Sequence, residues 1–189
     1  MKLTKKKIIS AIIVSICILI GGLFYFSDPL EYFNNYEIPE NTDDIILCYY
    51  QADLGSTNEQ YYIITRNGVV KVYSSNHATT YDELVEWNKT EAEGLQVEPL
   101  TDEQIGYLKK INTNNSRNIS KNNPTDIAYP ETSYYIIQKY EDQYVMMSIK
   151  EIIYNGSLGK DPQVIKKCRS KYTSDICDYI DYAVSLANS

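Results

Sequence analysis

Tyr61-Tyr62-Ile63-Ile64-Thr65-Arg66-Asn67-Gly68-Val69-Val70-Lys71-Val72-Tyr73 is the stretch on which the reading of the fold turns. Two runs of β-branched and aromatic residues flank Asn67-Gly68, and Asn-Gly between such runs marks a hairpin because both central residues of a type I′ turn need positive φ. With Asn67 and Gly68 as the loop, Ile63 falls opposite Val72 and Thr65 opposite Val70 on one face. Ile64 falls opposite Lys71, and Tyr62 opposite Tyr73, on the other. The first face is the expected core.

Upstream, Ile45-Ile46-Leu47-Cys48-Tyr49-Tyr50 lies within residues 43–52, a short apolar run bounded by acids and a glycine-containing loop, which is the profile of a buried strand. Downstream, Thr101-Asp102-Glu103-Gln104 forms a capping box, after which Ile105, Leu108 and Ile111 share one helical face. A second box at Thr80 to Glu83 opens a shorter helix with Leu84 and Trp87 as core residues. Residues 112–126 are nearly all Asn, Ser, Lys, Thr and Arg, and carry too little apolar surface to offset ordering entropy, so a mobile loop is expected there.

A second hairpin is expected over 133–140 and 144–149, its second strand running on towards Tyr154. Asn155 to Gly159 reads as a turn. Asp161-Pro162 supplies an N-cap with proline at the first helical position, and 163–187 follows a helical pattern. The fold class is therefore α+β: an N-terminal transmembrane helix, then a small two-layer domain with an antiparallel sheet of about five strands and helices packed on one face.

The anchor rests on the 19 uncharged residues of 8–26, which at about 1.5 Å per residue match a hydrocarbon core of roughly 30 Å. Lys2, Lys5, Lys6 and Lys7 precede the run, and Asp28, Glu31 and Glu37 are the first charges after it. The positive-inside rule then leaves 1–7 in the cytoplasm and everything after 26 outside it. A cleaved signal peptide would share this pattern, but Gly21 to Ser27 offers no A-x-A-like site. At Cys17, Ile16 stands where a lipoprotein signal wants a small residue. Residues 27–42, with Pro29 and Pro39, read as a polar stalk, and 43–189 as one extracytoplasmic domain. Heavy use of Tyr, Ile, Asn and Lys fits a bacterial source, in which the sequons at Asn88, Asn114, Asn118 and Asn155 have no consequence.

All 25 acidic residues follow Ser27, as do 14 of the 18 basic ones, giving the exported part a formal charge of −11. Such a surface disfavours nucleic acid and favours neutral or basic partners. Catalytic signals are thin. His77 is the only histidine and sits in the polar stretch Ser74-Ser75-Asn76-His77. No metal-ligand spacing, calcium loop, phosphate-binding glycine loop or nucleophile motif is present, so no cofactor, metal or catalytic residue is assigned.

Tyrosine is abundant at 19 copies, with doublets at Tyr49-Tyr50, Tyr61-Tyr62 and Tyr134-Tyr135 that must point one ring to each side of a sheet. The expected function is a non-enzymatic binding module at the cell membrane that contacts another envelope or secreted protein. The alternatives are an envelope hydrolase using paired carboxylates and an immunity or inhibitor protein acting at the membrane surface; the close pairs Asp43-Asp44 and Asp178 with Asp181 read as solvated charge. Cys168 and Cys177 are the disulfide candidates. In one continuous helix they would lie roughly 13.5 Å apart along the axis, so a bridge requires the chain to break between them, with Thr173 or Ser174 capping a new helix. Cys48 remains as a buried thiol.

Overall fold

The computed structural model describes residues 36–52, 58–77, 79–113, 119–121, 132–140, 143–153, 163–168 and 170–189, together with Ser15. The chain divides between Asn34 and Asn35. Of the expected anchor only Ser15 is described, as helical and exposed. Among the described residues no helix is long and apolar enough to cross a membrane.

The second unit is α+β, with every strand pair antiparallel. In chain order come β1 (Tyr36–Glu37), β2 (Ile45–Ala52), β3 (Glu59–Thr65), β4 (Val69–Ser75), α1 (Tyr81–Asn88), β5 (Leu95–Gln96) and α2 (Asp102–Thr113). They are followed by β6 (Ile119–Lys121), β7 (Thr132–Tyr140), β8 (Gln143–Ile153), β9 (Gln163–Cys168) and α3 (Lys171–Ala187). The sheet runs β5-β4-β3-β2-β7-β8-β9-β6, with β1 also on β7. Six strands are of six residues or more, in place of the five expected. Two hairpin ladders, β2-β3-β4 and β7-β8-β9, meet where Leu47 pairs with Ile136 and Tyr49 with Tyr134.

The helices do not share one face. α2 and α3 cover the side bearing Ile46, Leu47, Tyr62, Ile64, Tyr134, Ile136 and Ile149, while Leu84 of α1 packs on the other with Ile45, Cys48, Tyr61, Ile63 and Ile137. The expected two layers are three. The cause is visible in Ile45 to Tyr50, Tyr61 to Ile64 and Tyr134 to Ile137, which do not alternate apolar with polar and so need cover on both sides. A bulge between Ile45 and Leu47 turns Ile46 and Leu47 to the same side, with Ile45 and Cys48 opposite.

The hairpin register also differs by one residue. Ile64 lies opposite Val70, Ile63 opposite Lys71 and Tyr62 opposite Val72, so the loop is Arg66-Asn67-Gly68 rather than Asn67-Gly68. Three-residue loops of this kind end in a left-handed residue, and Gly68 has φ 81°. The slip separates Ile63 and Val70 onto opposite faces and leaves Val72 37% exposed.

Both capping boxes form. The Thr101 amide donates to Gln104 Oε1 at 2.9 Å and the Gln104 amide to Thr101 Oγ1 at 3.2 Å. The Thr80 amide donates to Glu83 Oε2 at 2.8 Å. Ile105, Leu108 and Ile111 are buried as expected. Lys71 Nζ donates to the carbonyls of Asn88 and Thr90 at 2.6 and 3.1 Å, satisfying acceptors at the end of α1.

Three further expectations differ in part from the described residues. Within the stretch expected as a loop, α2 runs on to Thr113 and Ile119–Lys121 pairs with β9; 114–118 and 122–126 lie outside the described residues. Of the expected stalk 27–42, residues 36–37 form β1 on β7 and Ile38 and Pro39 are buried, so 36–39 belong to the domain; 27–35 lie outside the described residues. The helix expected over 163–187 begins only at Lys171. Gln163–Cys168 is a strand, because the free edge of β8 beside it offers backbone pairing that a weak helical pattern cannot outweigh. Asp161-Pro162 lies outside the described residues, and the cap is Ser170, whose hydroxyl accepts from the Thr173 amide at 3.3 Å.

Gly68 is doubly constrained. A Cβ there would stand 2.5 Å from the Val97 carbonyl oxygen and 2.9 Å from that of Glu98, both backbone atoms, in addition to the strained φ. Gly68→Ala is expected to destabilise the domain by about 1–3 kcal/mol. Urea unfolding measures this, and an unchanged midpoint would show that the turn can relax.

Candidate functional site

The tyrosine doublets sort as the pleat requires. Tyr49, Tyr62 and Tyr134 lie on the α2/α3 side, where Tyr49 meets Tyr62 and Tyr134 edge-on at centroid distances of 5.6 and 5.1 Å. Tyr50, Tyr61 and Tyr135 lie on the α1 side. There the cross-strand pairs Tyr50 to Tyr61 and Tyr61 to Tyr73 continue into Trp87 of α1, at 5.1, 6.3 and 5.4 Å, so four aromatic rings form one row. The eight residues of α1 reach about 12 Å and cover only part of this face. Tyr50 and Tyr73 stay half-buried.

Glu59 stands at the open end of the row. Tyr50 donates its hydroxyl to Oε1 at 3.1 Å and Tyr61 donates to Oε2 at 2.7 Å, so each carboxylate oxygen is held by one phenol. The backbone amide of Thr79 donates to the Tyr61 oxygen at 3.4 Å. Burial first, and Glu59 second, push the Tyr50 phenol up to about 12 and raise that of Tyr61 further still. Beside Glu59 opens a depression of about 520 Å³, lined by Asn58, Gln60, Tyr73 and the segment Ser74-Ser75-Asn76-His77. It is open to solvent, and among the described residues Glu59 is the one carboxylate in its lining.

His77 keeps the loop character expected of it, though it is not without contacts. Nδ1 is 3.2 Å from the Ser75 hydroxyl, and Nε2 is 3.4 Å from Glu83 Oε1. This series resembles a nucleophile, base and carboxylate, but the chemistry is otherwise engaged. The Ser75 hydroxyl donates to the His77 carbonyl at 2.8 Å and accepts from the His77 amide at 3.2 Å, tying the loop, and Glu83 caps α1. Among the described residues no group of three or more His, Cys, Asp or Glu is placed to hold a metal ion.

The disulfide candidates come together. Cys168 ends β9 and Cys177 lies two turns into α3, with sulfurs 3.1 Å apart and unbonded, while Cys48 is a separate, fully buried free thiol. The chain breaks between them as a strand giving way to a helix, not as two helices. Close by, Tyr134 donates to Asp181 Oδ1 at 2.6 Å, Lys150 Nζ lies 3.8 Å from Asp181 Oδ2, and the same ammonium sits 4.2 Å above the Tyr134 ring.

No model of a known protein family matches the chain, and neither a curated protein nor a solved structure matches it. The functional reading therefore rests on these residues alone.

Burial raises the phenol values of Tyr50, Tyr61, Tyr81, Tyr134 and Tyr179 above the ordinary 10.0, with Tyr50 and Tyr179 at about 12. A raised folded value means that this stability is fully present below the unfolded value. Above about pH 10 the unfolded chain releases protons that the folded one retains, so stability falls as pH rises towards about 12. Urea midpoints followed across that range should decline steadily while phenolate absorbance lags behind that of the unfolded chain; a flat profile would contradict the burial of these hydroxyls.

Proposed function

We propose that this chain is a single-pass membrane protein whose C-terminal domain stands outside the cytoplasmic membrane of a bacterium. There it binds, without chemistry of its own, a basic segment of another envelope or secreted protein. The anchor is supported by the uncharged run 8–26, by the four lysines before it and by the acids after it. The formal −11 of the exported part favours a basic partner through long-range attraction.

The observation that carries the binding reading is Glu59 at the end of its aromatic row. Two phenol hydroxyls fix the carboxylate, and an ionised carboxylate has about four acceptor sites, so capacity remains for an incoming ammonium or guanidinium. Tyr73 in the wall of the depression offers a ring face to the same cation. A side chain entering here meets a group already oriented, which reduces the ordering needed on binding.

Two measurements test this. Protease added to intact spheroplasts should digest the domain and spare the anchor; full protection until lysis would overturn the orientation. A photo-crosslinker at the exposed Ser74, in cells with the anchor in place, should capture an envelope protein. Glu59→Gln, which keeps the shape and removes the charge, should lower that capture about tenfold, in line with about 1.4 kcal/mol. Equal capture by the variant would rule out Glu59 as the recognition group.

A further inference from the structure

We propose that Cys168 and Cys177 are a redox-active dithiol that closes to a disulfide, with Cys168 as the thiol that reacts first. The inference is independent of the binding reading, since it concerns the opposite side of the sheet. The sulfurs are 3.1 Å apart, against about 2.05 Å in a disulfide, so about 1 Å of side-chain movement completes the bond. Both residues sit on regular elements that hold this approach. Cys168 is paired opposite Ile119 on β6, and Cys177 is on a helix whose start is fixed by the box between Ser170 and Thr173.

The two thiols are unequal. Cys168 is partly exposed, whereas Cys177 is buried at 3%. Hydrogen bonding from the Cys177 thiol lowers the Cys168 value first, opposed by partial burial, with help from Thr173 and from the Lys150 ammonium. Its hydrogen bond to Cys168, and burial, raise Cys177. Of the other charged groups near the pair, Asp181 acts in the raising direction on Cys177, and Lys150 in the lowering one. Cys168 is thus both the accessible sulfur and the one more readily present as thiolate, the form that attacks disulfides.

The oxidant is an external disulfide, R–S–S–R, either a small molecule or an oxidoreductase. Cys168 thiolate attacks one of its sulfurs, a new S–S bond forms, the R–S–S–R bond breaks, and one R–S⁻ leaves and takes up a proton. Cys177 then loses its proton to solvent and attacks the Cys168 sulfur, expelling the second R–S⁻. Two thiols have become one disulfide, and R–S–S–R has become two R–SH. An external dithiol reverses both steps.

The test uses the full chain in detergent, with oxidised glutathione as the probe. Non-reducing peptide mapping of the oxidised protein should recover the peptides containing Cys168 and Cys177 linked, two hydrogen atoms lighter than their reduced forms, and dithiothreitol should restore both thiols. Cys177→Ser should accumulate glutathione on Cys168, and Cys168→Ser should take up at least tenfold less on Cys177. Linkage in the wild type with equal uptake by the two variants would overturn the assigned order. Separate, unlinked peptides after exhaustive oxidation would overturn the proposal as a whole, and circular dichroism of the wild type before and after oxidation excludes unfolding as the source of either result.

Discussion

Strand β2 has to be buried on both sides at once. Ile45, Ile46, Leu47 and Cys48 are each no more than 1% exposed, and four successive residues of a strand cannot all point one way, even with a bulge among them. Removing such side chains from water yields about 1.5–3 kcal/mol each only if apolar partners lie above and below. The position of β2, between β3 and β7, the split of the helices between the two faces, and the meeting of the two ladders all follow from this requirement. A sheet covered on one side would have left Ile45, Cys48, Ile63 and Ile137 in solvent.

Features whose physics is local were legible in the sequence. The capping boxes at Thr80 and Thr101 involve residues three apart, and nothing distant competes with them. The existence of both hairpins was legible for the same reason. Their registers were less so, because Asn67-Gly68 serves a two-residue loop or the end of a three-residue one, and what selects between them is remote. The amide of Val97 donates to the Gly68 carbonyl at 2.9 Å, and that of Leu100 to the Arg66 carbonyl at 3.2 Å, so a segment some thirty residues onward fixes the turn. Gln163–Cys168 misled for a related reason: as a strand it exists only by virtue of β8 and β6.

Glu59 shows the same limit at the candidate site. Among 25 acids nothing in the sequence distinguishes it, for its two donors come from the neighbouring strand and from its own strand two residues on, and their approach depends on a register read only in three dimensions. The signal that was present lay in the tyrosine doublets. Placing one ring on each face predicts two aromatic rows, and the row on the side with less helical cover is the one that carries Glu59 at its end. His77 drew attention as the sole histidine, yet its role is to sit in a loop closed by Ser75, so rarity was a poorer guide than periodicity.

α3 gives the cysteine pair its structural meaning. Its side chains tie it to strands of both ladders: Cys177 beside Cys168 of β9, Asp181 accepting from Tyr134 of β7 and close to Lys150 of β8, and Asn188 just beyond its end accepting from Tyr62 of β3 at 2.9 Å. The eleven residues from Cys177 to Asn188 rise about 16 Å, and the four strand spacings from β9 to β3 come to about 19 Å, so the helix is a brace laid across both ladders. Two of its ties are hydrogen bonds accepted from Tyr62 and Tyr134, the phenols whose rings pack against Tyr49 on the α2/α3 face. β9 lies near one end of the sheet, with β8 on one side and only the three-residue β6 beyond it. The proposed disulfide would fasten the brace to this outlying strand, so the position of the dithiol matters more for the domain than the nine-residue loop it would close.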